Sequence, residues 1–362
     1  MEGLKKEILL SFFPKITSKR YQKILAFFNS LDDAWKANKD EWKNTNWKKE
    51  VIDEFFIWKE NIDEEKINKI LNEEKMKCLT IDSPNYPKLL KKVYDPPFCL
   101  FVRGELNSED YFLAVVGPRK NSFYGKQMTE KMVSELSQKG LIIVSGLAFG
   151  IDSIAHKTCL KNNTKTIAVL GSGIDKNSIY PKNHIYLTEE IIQKGGAVIS
   201  EYPPGTTSNI FTFPRRNRII AGMSYGVFII EAREKSGALI TASYGLESGR
   251  EIFTIPQNIN SETSAGTNNL LKQGANLITD SQEIMEILNL QNLKQYVKNK
   301  KILGDTKEEK EILKFLSYEA IHVDDIIKKT KISSQKINSA LVLMEMKGLI
   351  KNLGGMMYIL KN

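Results

Sequence analysis

Seven short apolar runs recur between Phe112 and Leu288, and each is followed by a stretch with helical periodicity or a polar turn. They are FLAVVG ending at Gly117, LIIVSG at Gly146, TIAVLG at Gly171, AVISE at Glu201, GVFIIE at Glu231, EIFTIP at Pro256 and ANLIT at Thr279. None alternates apolar with polar positions. Strands covered by helices on both sides of a parallel sheet need continuous apolar runs of this kind. The intervening helices are expected to start near Tyr124, Ile151, Asn183, Arg215, Ser236 and Asn268. The alternation predicts an α/β fold, a Rossmann-like, doubly wound and mostly parallel sheet over residues 111–290.

The pattern changes on either side. Residues 1–80 read as short amphipathic helices: LKKEILLSFF stops at Pro14, and Ser18 can cap SKRYQKILAFF. All four tryptophans, Trp35, Trp42, Trp47 and Trp58, fall in this segment and are expected to fill a small helical core. The segment is SAM or helix-hairpin-helix-like in layout. It lacks the glycine-rich hairpin of a DNA-gripping helix-hairpin-helix, so no DNA role is assigned to it. Residues 81–110 carry Pro84, Pro87, Pro96 and Pro97, a density that forbids a long helix and marks an extended connector. Residues 291–305 form a lysine-rich polar linker. Residues 306–362 read as three short helices, the third stopping at Gly348, followed by a hairpin around Gly354-Gly355: a winged helix.

The net charge of +9 suggests nucleic acid, but its distribution matters more than its sum. Residues 101–290 hold 19 basic and 18 acidic side chains, whereas residues 291–362 hold 14 and 8. Any polyanion site on the sheet domain must therefore be a local cluster. No apolar run reaches the roughly 18 residues of a membrane span, and no signal-peptide pattern is present, so a cytoplasmic protein without membrane contact is expected. Three cysteines at wide spacing and three histidines offer neither a disulfide framework nor a zinc site; no metal and no cofactor is expected.

Glycine loops follow three strands: Gly117-Pro118-Arg119, Ser145-Gly146 and Gly171-Ser172-Gly173. At the carboxyl edge of a parallel sheet, backbone amides and helix amino termini can face one phosphate-bearing ligand. The dinucleotide fingerprint fails because Lys176 stands where the third glycine belongs, and no Walker motif exists. Hydride transfer and P-loop chemistry are disfavoured. Asp152 and His156, one helical turn apart, could be read as an acid–base dyad. The structural reading is preferred: Asp152 at a helix start, His156 as a packing residue.

The cationic candidates are Arg119, Lys120, Lys176 and Lys182, then Arg215, Arg216 and Arg218 around Asn217, with the Ser236-Gly237 turn beyond the next strand. Phe123, Tyr124, Tyr180, Tyr202, Phe211 and Phe213 interleave with them; some of these must be core, and Phe123, Tyr124, Phe211 and Phe213 are the candidates for stacking on bases. A helix through the arginines places Arg215 and Arg218 on one face and Arg216 on another. Glu201 or Glu231 can pair with one of them.

These motifs resemble the DNA-processing protein A (DprA/Smf) family. The matching text is YPKLLKKVYDPPFCLFVRG at Tyr86, VVGPRKNSFYG at Val115, SGLAFGIDSIAH at Ser145, AVLGSGIDKNSIYPKNH at Ala168, ISEYPPGT at Ile199, FPRRNRIIAGMS at Phe213, EAREKSGALITA at Glu231 and SAGTNNLLKQGA at Ser264. The resemblance implies a homodimeric protein that binds single-stranded DNA and helps load RecA onto the incoming strand during natural transformation, without catalytic turnover. It implies phosphate contacts from Arg119 and the Arg215–Arg218 cluster, with Lys176 or Lys182 nearby; Gly117, Gly146 and Gly173 are the backbone candidates that the glycine loops themselves supply. It also implies a dimer contact near Asn258–Gly274, where Ile259, Leu270 and Leu271 are the candidates. Pro118 and Gln257 depart from the family pattern; Pro118 removes a backbone amide and a hydroxyl from the first loop. An alternative is a Rossmann-like nucleotide-binding or nucleotide-hydrolysing enzyme, although the PGGxGT-type signature is absent and REKSGALIT stands in its place. A third reading makes the winged helix a duplex-DNA regulator.

Overall fold

The structure, a computed structural model, describes residues 4–291, 293, 306–317, 320–330, 332–346 and 349–360. The chain forms two compact units, Met1–Gln291 and Asn292–Asn362. The expected Rossmann-like sheet dominates the first. Its strands are β1 (Lys77–Thr80), β2 (Cys99–Gly104), β3 (Phe112–Val116), β4 (Ile142–Ser145), β5 (Thr166–Val169), β6 (Ala197–Ser200), β7 (Gly226–Ile229), β8 (Glu251–Thr254) and β9 (Asn276–Leu277). They lie in the order β1-β2-β6-β5-β4-β3-β7-β8-β9. Strands β3 to β9 pair in parallel, and β2 joins β6 antiparallel. The winding leaves β3 in one direction through β4, β5 and β6, then returns to β3's other side at β7. That reversal is the switch point where an open α/β sheet leaves a crevice.

The first two strands correct the sequence reading, which placed no strand before Phe112. CLFV, Cys99 to Val102, is a continuous apolar run, Arg103 after it is buried in an ion pair with Glu189 at 2.9 Å, and all but the strand's glycine end is buried. The prolines stop at the strand's threshold, and β1 closes the sheet's edge by antiparallel pairing with β2.

After the N-terminal helices α1 (Lys6–Ser11), α2 (Ser18–Phe27), α3 (Leu31–Lys36), α4 (Lys39–Trp42), α5 (Lys49–Glu60) and α6 (Glu64–Glu73), helices α7 (Phe123–Gln138), α8 (Ile151–Lys161), α9 (Ile185–Gln193), α10 (Thr212–Met223), α11 (Gly237–Glu247) and α12 (Ala265–Lys272) cover the sheet. Helix α10 begins three residues before Arg215, because Pro214 falls in the first turn, where no backbone donor is needed. The N-terminal helices include Lys6–Ser11, Ser18–Phe27 and Lys49–Glu60. Trp42 is fully buried among them, stacks on Phe55 at 4.4 Å and donates its indole N–H to the Ala34 carbonyl at 2.8 Å. Trp47 is buried too, while Trp35 and Trp58 lie at the margin of the cluster. The same apolar cluster continues onto the sheet, with Phe12 edge-on to Phe101 at 5.8 Å and Tyr21 stacked on Phe98 at 4.5 Å.

In the second unit, helices Lys307–Leu313, Val323–Thr330 and Ser334–Met346 pack Ile312, Ile326, Leu341 and Met344 against a three-stranded antiparallel sheet. Its strands are β10 (Ile321–His322), β11 (Ile350–Asn352) and β12 (Met357–Leu360), in the order β10-β12-β11. Gly354 at the hairpin has φ of 90°. This is the expected winged helix. The expected stop at Gly348 and all but two residues of the expected linker lie outside the described residues.

Candidate nucleic-acid interface

At the switch point the loops after β3 and β7 diverge and open a cleft of about 390 Å³. One wall is the Gly117-Pro118-Arg119 loop. Another carries Arg233, Lys235, Ser236 and Gly237, and α10 supplies Phe213, Arg216 and Asn217. Gly117 is required for packing, since a Cβ there would come within 2.5 Å of the Ile151 side chain. Ser236 caps α11 by accepting from the Ala238 N–H, so the amino terminus of that helix opens into the cleft.

The three arginines of α10 have three different fates. Arg216 is buried beneath the cleft floor and donates to the carbonyls of Gly146 (2.6 Å) and Val169, while its Nε reaches Asn217 Oδ1 at 3.1 Å. Burial lowers its pKa to about 10, which leaves it charged at neutral pH. Arg218 is buried against Glu201, to which it donates, with Asp95 3.5 Å from its Nε. That corrects its assignment as a phosphate ligand: a guanidinium with a side chain only 7% exposed and two carboxylates around it is not free to meet a polymer. Arg215 is half-buried, with its Nε 3.6 Å from Glu201, and opens on a separate groove beside Lys15 and Tyr202. Arg215 and Arg218 thus share the Glu201 side of the helix and Arg216 faces the cleft, as the helical spacing predicts. Glu231 pairs with none of them. It accepts from the Ser122 N–H and the Thr263 hydroxyl, both at 2.9 Å, and ties the loop before α7 to the segment before α12.

Arg119 is exposed, and its guanidinium carbon sits 5.2 Å from the Phe213 ring centre. Among the described residues it has no carboxylate partner. Lys120 is exposed on the same loop but does not line the cleft. Lys176 and Lys182 stand on the loop before α9, exposed and away from the cleft walls, with Lys182 donating to the Asn177 carbonyl. Two glycine amides are also committed elsewhere, which corrects their reading as phosphate donors. The Gly146 N–H donates to Asp152 at 3.1 Å and the Gly173 N–H to the Thr206 carbonyl at 2.8 Å. Asn217 bridges helices, donating to the Gly237 carbonyl at 3.3 Å.

Of the stacking candidates, only Phe213 lines the cleft. Phe123 and Phe211 are exposed elsewhere, and the Tyr124 hydroxyl donates to the Pro256 carbonyl at 3.0 Å. Arg233 and Lys235 were not singled out from the sequence. The signal that could have found them is their place between β7 and α11, the argument that selected Ser236-Gly237. Phe149, beside Arg119, was passed over, whereas Tyr180, also beside it, is one of the interleaving aromatics though not one of the four stacking candidates.

Asp152 and His156 are not a dyad. Asp152 accepts from the Gly146 and Ala148 amides, and His156 is fully buried with Nδ1 2.7 Å from the Thr166 hydroxyl. Burial raises the Asp152 carboxyl, against a smaller lowering by Arg216, and holds the His156 imidazole down to about 3. Of the dimer candidates, Ile259 is 85% exposed and Leu271 half-buried, but Leu270 belongs to the core under the sheet and cannot present a contact. Gln257 donates to the Ile230 carbonyl at the end of β7.

Residues 77–289 match the family described as DNA recombination-mediator protein A, and residues 299–356 match the DprA winged helix domain. The chain is 46% identical over 208 residues to protein Smf of Escherichia coli, a match covering 57% of this chain and 55% of that protein, so it spans about half of that relative's length. It is 31% identical over 375 aligned residues to protein Smf of Synechocystis, covering 93% of this chain and 94% of that protein. The structure is similar to that of DNA processing protein A from Streptococcus pneumoniae, with a TM-score of 0.67, 33% identity and coverage of 79% of this chain and 98% of that one. It is also similar to DNA processing protein A from Helicobacter pylori, a structure described for its single-stranded DNA binding mode, with a TM-score of 0.52, 32% identity and coverage of 59% and 95%. With a profile match over more than half its length and a relative aligned almost end to end, this chain belongs to the DNA recombination-mediator protein A family.

Proposed function

We propose that this chain binds single-stranded DNA at the switch-point cleft and acts as a recombination mediator, a cytoplasmic homodimer that passes the bound strand to RecA without itself catalysing a reaction. The observation that carries the reading is the make-up of the cleft wall. Arg119, Arg216, Arg233 and Lys235 bring positive charge to it, Arg233 through an exposed guanidinium that also pairs with Glu262 at 2.9 Å, and the one carboxylate among its lining residues, Asp152, is occupied by backbone amides. Such a wall attracts phosphates, and its one carboxylate is committed to backbone amides rather than free to act as a general base. The family's description as a recombination mediator supports the mediator part of the reading, and the single-stranded DNA binding mode described for the Helicobacter pylori relative supports the single-strand part.

Exposed Arg119, Arg233 and Lys235 contacting three phosphates give a log–log salt slope of about −2 for single-stranded DNA, and each lost contact flattens it by about 0.7. A 20-nucleotide strand titrated across salt should therefore bind an Arg119→Ala, Lys235→Ala variant more weakly, with a slope shallower by about 1.4. Unchanged affinity and slope would move the DNA site elsewhere.

A further inference from the structure

Glu231, just past the carboxyl end of β7, is fully buried, and the donors that meet its carboxylate carry no charge. The Ser122 N–H donates to Oε2 at 2.9 Å, the Ser122 hydroxyl donates to Oε1, and the Thr263 hydroxyl reaches Oε1 at 2.9 Å. A carboxylate buried without a cation against it is costly, and an anion set behind a wall that attracts phosphates also opposes them. The two segments that it joins account for its place.

One segment is the loop that carries Arg119. It runs from Gly117 to Ser122, the amino-terminal cap of α7, which accepts from the Gly125 N–H at 2.9 Å. The near end of the loop is packed: a Cβ at Gly150 would fall 2.3 Å from the Pro118 carbonyl oxygen and 2.6 Å from that of Arg119. The far end is pinned by Glu231 through Ser122, and a Cβ at Gly125 would strike the Glu231 carboxyl carbon at 2.4 Å. The other segment leads into α12. There the Ala232 N–H donates to the Thr263 carbonyl at 2.9 Å, and the Gly266 N–H donates to the Ala232 carbonyl at 2.8 Å. Thr263 is buried and lies outside the cleft lining. Arg119 makes no ion pair among the described residues, so its direction is set by this backbone and by the Phe213 ring, 5.2 Å from its guanidinium carbon.

We propose that Glu231 is a positioning residue for DNA binding: it fixes the far end of the Arg119 loop against the segment before α12, so that the guanidinium is aimed at a phosphate before the strand arrives. The inference rests on the single-strand reading above and adds the residue that orients its exposed cation. Glu231 touches no DNA and acts through Arg119. A donor held in place binds more tightly than a mobile one because less freedom is lost on binding. The two effects of the carboxylate have opposite signs. As a charge it repels the strand, so its removal alone would tighten binding; as an anchor, its removal weakens binding.

The test is a double-mutant cycle on the full chain, read by binding of a 20-nucleotide single strand across salt. Losing one phosphate contact flattens the log–log slope by about 0.7, which at about 0.15 M salt is about a 4-fold loss of affinity relative to 1 M. Glu231→Ala should show both changes. In an Arg119→Ala background the same substitution should neither weaken binding further nor flatten the slope, because the contact that it orients is already gone. The double variant Ser122→Ala, Thr263→Val keeps the charge and removes both hydroxyl donors. It should behave as Glu231→Ala does in both backgrounds, and it decides the matter if Glu231→Ala does not fold. Unchanged or tighter binding by Glu231→Ala overturns the inference while leaving the phosphate site standing. So does an equal loss with and without Arg119, the mark of general damage to the fold. Failure of the wild type to bind the strand overturns the single-strand reading and the inference with it.

Discussion

Arg218 tests whether the burial argument has separated structural from ligand-binding arginines. Arg218→Met removes the charge and keeps much of the apolar stem. It leaves Glu201, whose side chain is 8% exposed, without its principal cation. Breaking a buried pair from one side costs about 3–5 kcal/mol. Two features place this case at the lower end. Nε and Nη1 of Arg218 make no hydrogen bond, so few are lost, and Arg215, 3.6 Å from Glu201, remains as a partial partner. A loss of about 3 kcal/mol corresponds to a fall in melting temperature of about 6–12 °C, at about 2–4 °C per kcal/mol for a unit of this size. Thermal unfolding by circular dichroism reads the loss, and fluorescence anisotropy below the variant's melt reads DNA affinity, which should stay within twofold. Arg119→Ala should behave in reverse, with an unchanged melt and weakened binding. A variant at Arg218 that melts like wild type yet loses single-stranded DNA would refute the reasoning.

His156 makes stability pH-dependent in a defined direction. Burial holds its imidazole down to about 3, so the unfolded chain takes up a proton first, near the ordinary value of 6.5. Its contribution is complete above pH 6.5 and declines as the pH falls toward 3. Asp152, whose carboxyl is raised, contributes with the opposite sign: its share is present at low pH and lost as the pH rises through its folded value. Urea unfolding should show wild type losing about 2–3 kcal/mol more than His156→Gln between pH 6.5 and 4.5, and parallel curves for the two would contradict this. At the proposed dimer contact, Ile259→Asp should halve the mass measured by light scattering while leaving the melt unchanged, because Ile259 is 85% exposed. Leu270→Asp should unfold the chain instead, since Leu270 packs under the sheet.

The parallel sheet was legible because burial on both faces writes itself as unbroken apolar runs, and the seven runs from Phe112 onward correspond to β3 to β9. β1 and β2 were hidden by the prolines around them and by Arg103 within β2, although the CLFV before it is as apolar as the later strands. The stagger of the arginines was legible from helix geometry alone. Which of them stays wet was not, because burial of Arg218 depends on Asp95 and Glu201, over 100 residues away in one case. Glycine positions showed where loops lie, but not that the Gly146 and Gly173 amides are already bonded. Arg233 and Lys235 looked like ordinary surface charges until the turn of the chain after β7 set them opposite Arg119.

The most direct test of the account is the affinity of the full chain for a 20-nucleotide single strand, the matching duplex and a nucleoside monophosphate, measured across salt. The account predicts tightest binding of the single strand, with a log–log slope of about −2 that Arg119→Ala and Lys235→Ala together reduce to about −0.6. Tighter binding of the monophosphate, insensitive to salt or accompanied by release of free base, would contradict it.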